Sequence, residues 1–175
     1  DFFFNSEDGI RDAQESRGLG DVYKRQTRDY ADKLLGLIQQ ELFDVGAECA
    51  CPPGGVPEQM TIIGSDAGER LVSEMDSMLE DLEPLSSFIL PTGSPAVANL
   101  HMARTIVRRA EREACALREE VRPEVISYLN RLSDHCFVLG RWITAQTGEE
   151  ETLWTPLGKR DECCLLYTSP SPRDS

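Results

Sequence analysis

At 175 residues and 19.6 kDa, the chain has room for one domain with a real core and too little for two. Its 40% hydrophobic and 28% charged content is that of a globular protein and excludes a wholly disordered or membrane-spanning class, since no apolar run is long enough to cross a bilayer. A formal charge of −13 repels phosphate backbones and argues against nucleic acid as a partner, yet a small anion can still bind wherever arginines cluster.

Residues 1–26 mix Asp, Glu, Arg, Gly and Ser without a sustained period of 3.6 or 2.0. They resemble translated adapter sequence and are expected to be a non-native or disordered flank. The bundle is expected over 27–160. Its first helix, over residues 29–47, carries Leu34, Leu37, Ile38, Leu42 and Val45 at steps of three and four, and Gly46 marks its expected end. The Pro- and Gly-rich stretch 51–57 reads as a loop. Asp66 and Glu69 have capping-box spacing and announce a second helix, with Leu71, Val72, Met75, Met78, Leu79 and Leu82 on its apolar side and Pro84 as its stop. Ser94-Pro95 opens a third helix, expected to run to about residue 120. Pro123 opens a fourth, which buries Val125, Ile126, Leu129, Leu132, Cys136, Phe137 and Leu139 and is stopped by Gly148. No strand with period-two alternation stands out. The reading is all-α, an up-and-down bundle with four helices. The Pro- and Ser-rich tail, 161–175, is expected to be a second non-native or disordered flank.

Six cysteines with no secretory signal before them read as reduced thiols in a cytoplasmic protein. Cys49-Ala-Cys51 and Cys163-Cys164 are each half of a zinc site, His is nearly absent, and no metal site is expected. On the third helix, steps of four put Arg104, Arg108 and Arg112 on one face, where like charges repel unless an anion or carboxylates lie against them. Arginine suits polyphosphate because its planar fork donates paired hydrogen bonds and stays charged. For an arbitrary helix, a solvated face paired with Glu111 and Glu113 is the commoner explanation of such a run. Asn130, mid-helix, competes with backbone hydrogen bonding and so needs a partner, either a ligand or another helix. Phe88, taken alone, reads as core.

Six blocks fall in a fixed order: Ile38-Gln-Gln-Glu-Leu-Phe-Asp-Val-Gly-Ala-Glu48, Phe88-Ile-Leu-Pro91 with Gly93-Ser94-Pro95, Leu100-His-Met-Ala-Arg-Thr105, Arg108-Arg-Ala-Glu-Arg112, Tyr128-Leu-Asn-Arg-Leu-Ser-Asp134 and Glu149-Glu-Glu-Thr-Leu-Trp154. Together they resemble the signature blocks of ATP-dependent cob(I)alamin adenosyltransferases of the propanediol-utilisation type. The resemblance implies transfer of the 5′-deoxyadenosyl group of ATP, with Mg²⁺, to the cobalt of cob(I)alamin or a related corrinoid. It also implies a five-helix bundle assembled as a homotrimer with active sites between subunits. By the same resemblance Arg108, Arg109, Ala110, Glu111 and Arg112 bind ATP, Asn130 contacts the nucleotide, and Phe88 covers the lower face of the corrin. Arg104 pairs with an aspartate of the family's first helix. That helix, and the phosphate-binding loop before it, have no counterpart here, and Asp29 and Asp32 precede the second-helix block instead. The fragment is therefore expected to be inactive. Pro91-Thr92-Gly93 also stands where two glycines are usual. The alternative reading is a non-catalytic helical-bundle interaction protein; a ferritin-like metal site is disfavoured because the Glu-x-x-His pairs it requires are missing.

Overall fold

The computed structural model, which describes residues 6–52, 55–117 and 120–159, holds four α-helices in the order α1 (Ser6–Cys49), α2 (Ser65–Leu79), α3 (Pro95–Ala116) and α4 (Pro123–Gln146). A 3-10 turn follows at Leu157–Lys159. Among the described residues there is no strand, only an antiparallel bridge between Ile89 and Leu153, so the all-α expectation holds.

The punctuation behaves as its chemistry demands at α3 and α4. Pro95 and Pro123 each sit in the first turn, where a missing N–H costs nothing. Gly148 takes φ +70 just beyond α4, and the amides of Gly148 and Glu149 turn back to the carbonyls of Ala145 and Thr144. Elsewhere the boundaries differ from expectation. Asp66 and Glu69 do not form a capping box: α2 starts at Ser65 after Gly64, with no side-chain cap. Helix α3 ends at Ala116, short of residue 120. Helix α1 passes through Gly46 to Cys49, because a glycine weakens a helix and ends one only by turning left-handed, which Gly46 does not do. Upstream, its backbone stays helical to Ser6, well before residue 29, in a stretch without proline. Residues 1–5 and the tail 161–175 lie outside the described residues.

Helix α4 is the centre of the packing. It contacts α3 and α2 extensively and α1 more lightly, whereas α1 and α3 make no close backbone approach to each other. From Leu132 to Thr144 its buried positions run nearly all the way round, as a central helix requires. Two apolar clusters result. One gathers Ile38, Val45, Leu71, Val107, Leu129 and Leu132, and the other Ala31, Leu34, Met78, Val97, Leu100 and Leu139. The buried stripe of α1 is thus Ala31, Leu34, Ile38 and Val45, while Leu37 and Leu42, expected on it, are substantially exposed.

Where the two clusters meet, polar side chains fill the interior. Arg70 of α2 bonds Glu74 on its own helix and Glu41 of α1 at 2.6 Å. The Tyr128 hydroxyl of α4 donates to Glu41 at 2.7 Å. His135 of α4, with no exposed surface, lies 2.8 Å through Nε2 from Glu74, and its buried Nδ1 has no partner among the described residues. Burial holds the His135 pKa below its usual value, with Arg70 adding to the shift and Glu74 opposing it. Neutral His135 donates Nε2–H to the carboxylate.

The pH dependence follows from that direction. His135 is neutral in both folded and unfolded chains above an unfolded pKa of about 6.5. Below it the unfolded chain takes up a proton that the folded chain refuses. Stability therefore declines as pH falls through about 6.5 towards the lower folded value. His101 is shifted the same way, mainly by burial. Urea titrations between pH 7.5 and pH 5 are expected to show this decline, and His135→Gln, which keeps a donor for Glu74, should flatten it. An undiminished slope in that variant would assign the decline to other groups.

Candidate functional site

Helix α3 organises two candidate regions, one at each end. Towards its C-terminus, Glu111 is the pivot: Asn130 of α4 donates to its Oε1 at 2.8 Å, and Arg108 lies 4.0 Å from its Oε2. Glu111 is largely buried, whereas the Arg108 side chain is 48% exposed and its guanidinium is open to a ligand. Arg109 and Arg112 are exposed too, and Arg112 turns back to the Arg108 carbonyl at 3.2 Å. Ala110 is exposed, which lets another molecule approach the helix closely at that turn. Beside this group an open depression of about 570 Å³ is lined by Glu111, Cys115, Val121, Ile126, Ser127 and Asn130. The arginines flank it and do not line it, so the cationic character lies on one rim.

Towards the N-terminus, Arg104 is half-buried with its guanidinium carbon 4.8 Å from the centre of the Phe137 ring. This cation–π contact accounts for the charge, but among the described residues the buried Nε has no acceptor. His101, one turn earlier, is buried edge-on against the same ring. Burial and then Arg104 lower its pKa, while Glu151 opposes them, so His101 adds no positive charge there at neutral pH.

The connector between α2 and α3 passes this end and carries Phe88. The residue is 78% exposed, which corrects the reading of it as core. Its backbone is nonetheless well fixed: Trp154 N–H donates to the Phe88 carbonyl at 2.7 Å, and Leu90 N–H donates to Thr152 at 2.8 Å. Arg141, 7% exposed, anchors both partners from α4 through a two-pronged pair with Glu151 at 2.7 and 3.3 Å and a bond to the Glu83 carbonyl at 2.9 Å. Gly93, at φ +130, turns the chain from this pairing into α3, a conformation that glycine adopts without strain.

The predicted residues therefore divide. Arg108, Glu111 and Asn130 come together, with Arg109, Ala110 and Arg112 beside them, whereas Arg104 and Phe88 belong to the other end. His101 and Glu111 are ten residues apart, about 15 Å along the helix. Sequence reasoning gave no role to Arg141, Trp154 or the buried group around Arg70. A signal existed for the last: Glu41 falls between Ile38 and Val45 on the buried stripe, where a charge needs a partner.

Comparison with known proteins adds independent findings. The sequence model of the family described as cobalamin adenosyltransferase matches residues 16–143. The corrinoid adenosyltransferase of Mycobacterium tuberculosis is 41% identical over 133 residues, covering 73% of this chain and 67% of that protein. The corrinoid adenosyltransferase PduO of Salmonella typhimurium is 41% identical over 110 residues, covering 62% of this chain and 33% of that protein. Among solved structures, a variant PduO-type ATP:corrinoid adenosyltransferase from Lactobacillus reuteri, complexed with cobalamin and ATP, superimposes with a TM-score of 0.66 at 29% identity, covering 79% of this chain and 82% of that one.

Proposed function

The chain belongs to the cobalamin adenosyltransferase family, and from that premise we propose that it is the larger part of an ATP:corrinoid adenosyltransferase, moving the 5′-deoxyadenosyl group of ATP to the cobalt of cob(I)alamin and releasing triphosphate. The observation that carries the reading is Phe88: a 78% exposed phenyl ring on a backbone fixed by two hydrogen bonds, which no packing need of the bundle explains. Such a ring is suited to lie against the lower face of a flat macrocycle and exclude an axial ligand, which makes the cobalt easier to reduce.

The rest of the arrangement suits this chemistry. Reduced cobalt is itself the nucleophile, so no general base is required, and neither His101 nor His135 is needed as a proton carrier. The difficult charge develops on the departing triphosphate, and the exposed guanidinium groups of Arg108, Arg109 and Arg112 can oppose it. Glu111 orients Arg108 and Asn130 so that the asparagine can meet the nucleotide. No three His, Cys, Asp or Glu side chains converge among the described residues. Mg²⁺ would thus arrive on the phosphates and supply further charge neutralisation there.

Residues 27–160 form the bundle; because the family match reaches upstream to residue 16, only 1–15 and the tail 161–175 are proposed as foreign to it. A groove of about 630 Å³ between α1 and α3, with Ala31, Leu35, Leu100, Ala103 and Ile143 in its walls, is where the family's first helix would lie, and Arg104 Nε awaits that helix's carboxylate. Phe88 and Asn130 lie towards opposite ends of α3, which suits sites shared between subunits, and the family resemblance makes that assembly a homotrimer. The reduced corrinoid and free thiols suit the cytoplasm.

Phe88→Ala tests the function in the completed enzyme. Its affinity for ATP should be unchanged while turnover falls by about a hundredfold, since the ring acts on cobalt and not on nucleotide. Equal loss of both, measured by ATP titration and adenosylcobalamin formation, would return Phe88 to a structural role.

A further inference from the structure

Phe88 does not hold its own position. Along its segment Ser87 and Ile89 point inward and Phe88 and Leu90 outward, the alternation of a short strand. Its partner is the chain just past α4. Two backbone hydrogen bonds and one bridge make this pairing, too little to be stable alone. Arg141 fixes the approach of both segments from below through Glu151 and the Glu83 carbonyl. Above it, among the described residues, one aromatic side chain braces the phenyl ring. Trp154, 41% exposed, meets Phe88 edge-on with ring centroids 6.1 Å apart and planes at 79°. An exposed phenyl could otherwise choose among rotamers, and an edge-to-face neighbour restricts that choice.

We propose that Trp154 is a positioning residue for the corrin-facing ring: its indole holds Phe88 in the orientation that excludes the lower axial ligand, so that the segment after α4 governs the state of cobalt while the arginine face of α3 governs ATP. The inference rests on the proposed role of Phe88. Trp154 need not touch the corrin itself; it acts through the phenyl ring and through the backbone Trp154 N–H bond to the Phe88 carbonyl, which survives replacement of the indole by alanine or phenylalanine. Loss of the indole therefore frees the ring without detaching the strand.

The test binds cob(II)alamin to the full-length enzyme in the presence of ATP and reads four-coordinate cobalt by its absorption and electron paramagnetic resonance spectra. Trp154→Ala should lose most of the four-coordinate signal and about tenfold in kcat, with the KM for ATP unchanged and the melting temperature little moved. Trp154→Phe, which retains an aromatic edge, should restore much of both. Phe88→Ala run alongside separates the two ideas. If Phe88→Ala abolishes the signal and Trp154→Ala keeps it, the inference is overturned and the role of Phe88 stands. If both keep it, the role of Phe88 fails and the inference with it. A Trp154→Ala protein that melts early and loses ATP affinity together with the cobalt signal would also overturn the proposal, because Trp154 would then be general scaffold.

Discussion

Arg70→Met should lower the free energy of unfolding by about 3–5 kcal/mol, one of the largest losses available from a single residue in this bundle. The side chain keeps most of its length but loses the charge that sits between Glu41 and Glu74. Those carboxylates are only 14% and 13% exposed, so water can replace the guanidinium only in part. The damage spreads because Tyr128 donates to Glu41 and His135 to Glu74, linking α1, α2 and α4 through one cation. The variant has an internal route to partial relief. Without Arg70, the unpaired Glu74 would favour protonated His135, so the histidine pKa should rise and the pH dependence below neutrality should weaken. Urea unfolding at pH 7.5 and pH 5.5 reads both effects. A loss under about 1 kcal/mol would mean that the pairs behave as exposed ones.

The 175-residue chain, mixed with ATP and cob(I)alamin, should form no detectable adenosylcobalamin, and should bind apolar dyes or aggregate. The reason is geometric. Helices α1 and α3 stand apart on α4, and the groove between them presents Leu35, Leu100 and Ala103 with no helix of the described residues across it. An apolar groove of that kind on a bundle recruits whatever apolar surface is near. At the same place Arg104 has a buried Nε without an acceptor, a cost that a carboxylate on a covering helix would remove. The exposed arginines can supply charge to triphosphate, but among the described residues no loop encloses them against water. Adding the loop and first helix of a close relative should therefore recover assembly and turnover together, read by sedimentation and by the absorbance of adenosylcobalamin. Robust turnover by the chain as it stands would show that the essential part of the site lies within residues 27–160.

Much was legible from sequence because it rests on local chemistry. Pro95, Pro123 and Gly148 punctuate α3 and α4 where their fixed or permissive dihedrals say they must, and steps of three and four along α4 named residues that prove buried. The spacing that put Arg108, Glu111 and Asn130 in play is likewise a property of helices, although their union across α3 and α4 is not. What sequence could not decide is which of several apolar or charged positions faces a neighbour. Leu37 and Leu42 continue the α1 stripe on paper, yet α1 meets α4 over a narrow line and leaves them exposed, while Glu41 takes an interior place because Arg70 and Tyr128 arrive from two other helices. Phe88 looks like core to any hydrophobicity argument. Only the pairing with residues 152–154, more than sixty positions downstream, turns its ring outward and gives Trp154 something to brace. Helix ends and stripes follow from dihedral limits and periodicity within a few residues, whereas burial of a charge or exposure of a ring depends on partners brought together from distant parts of the chain.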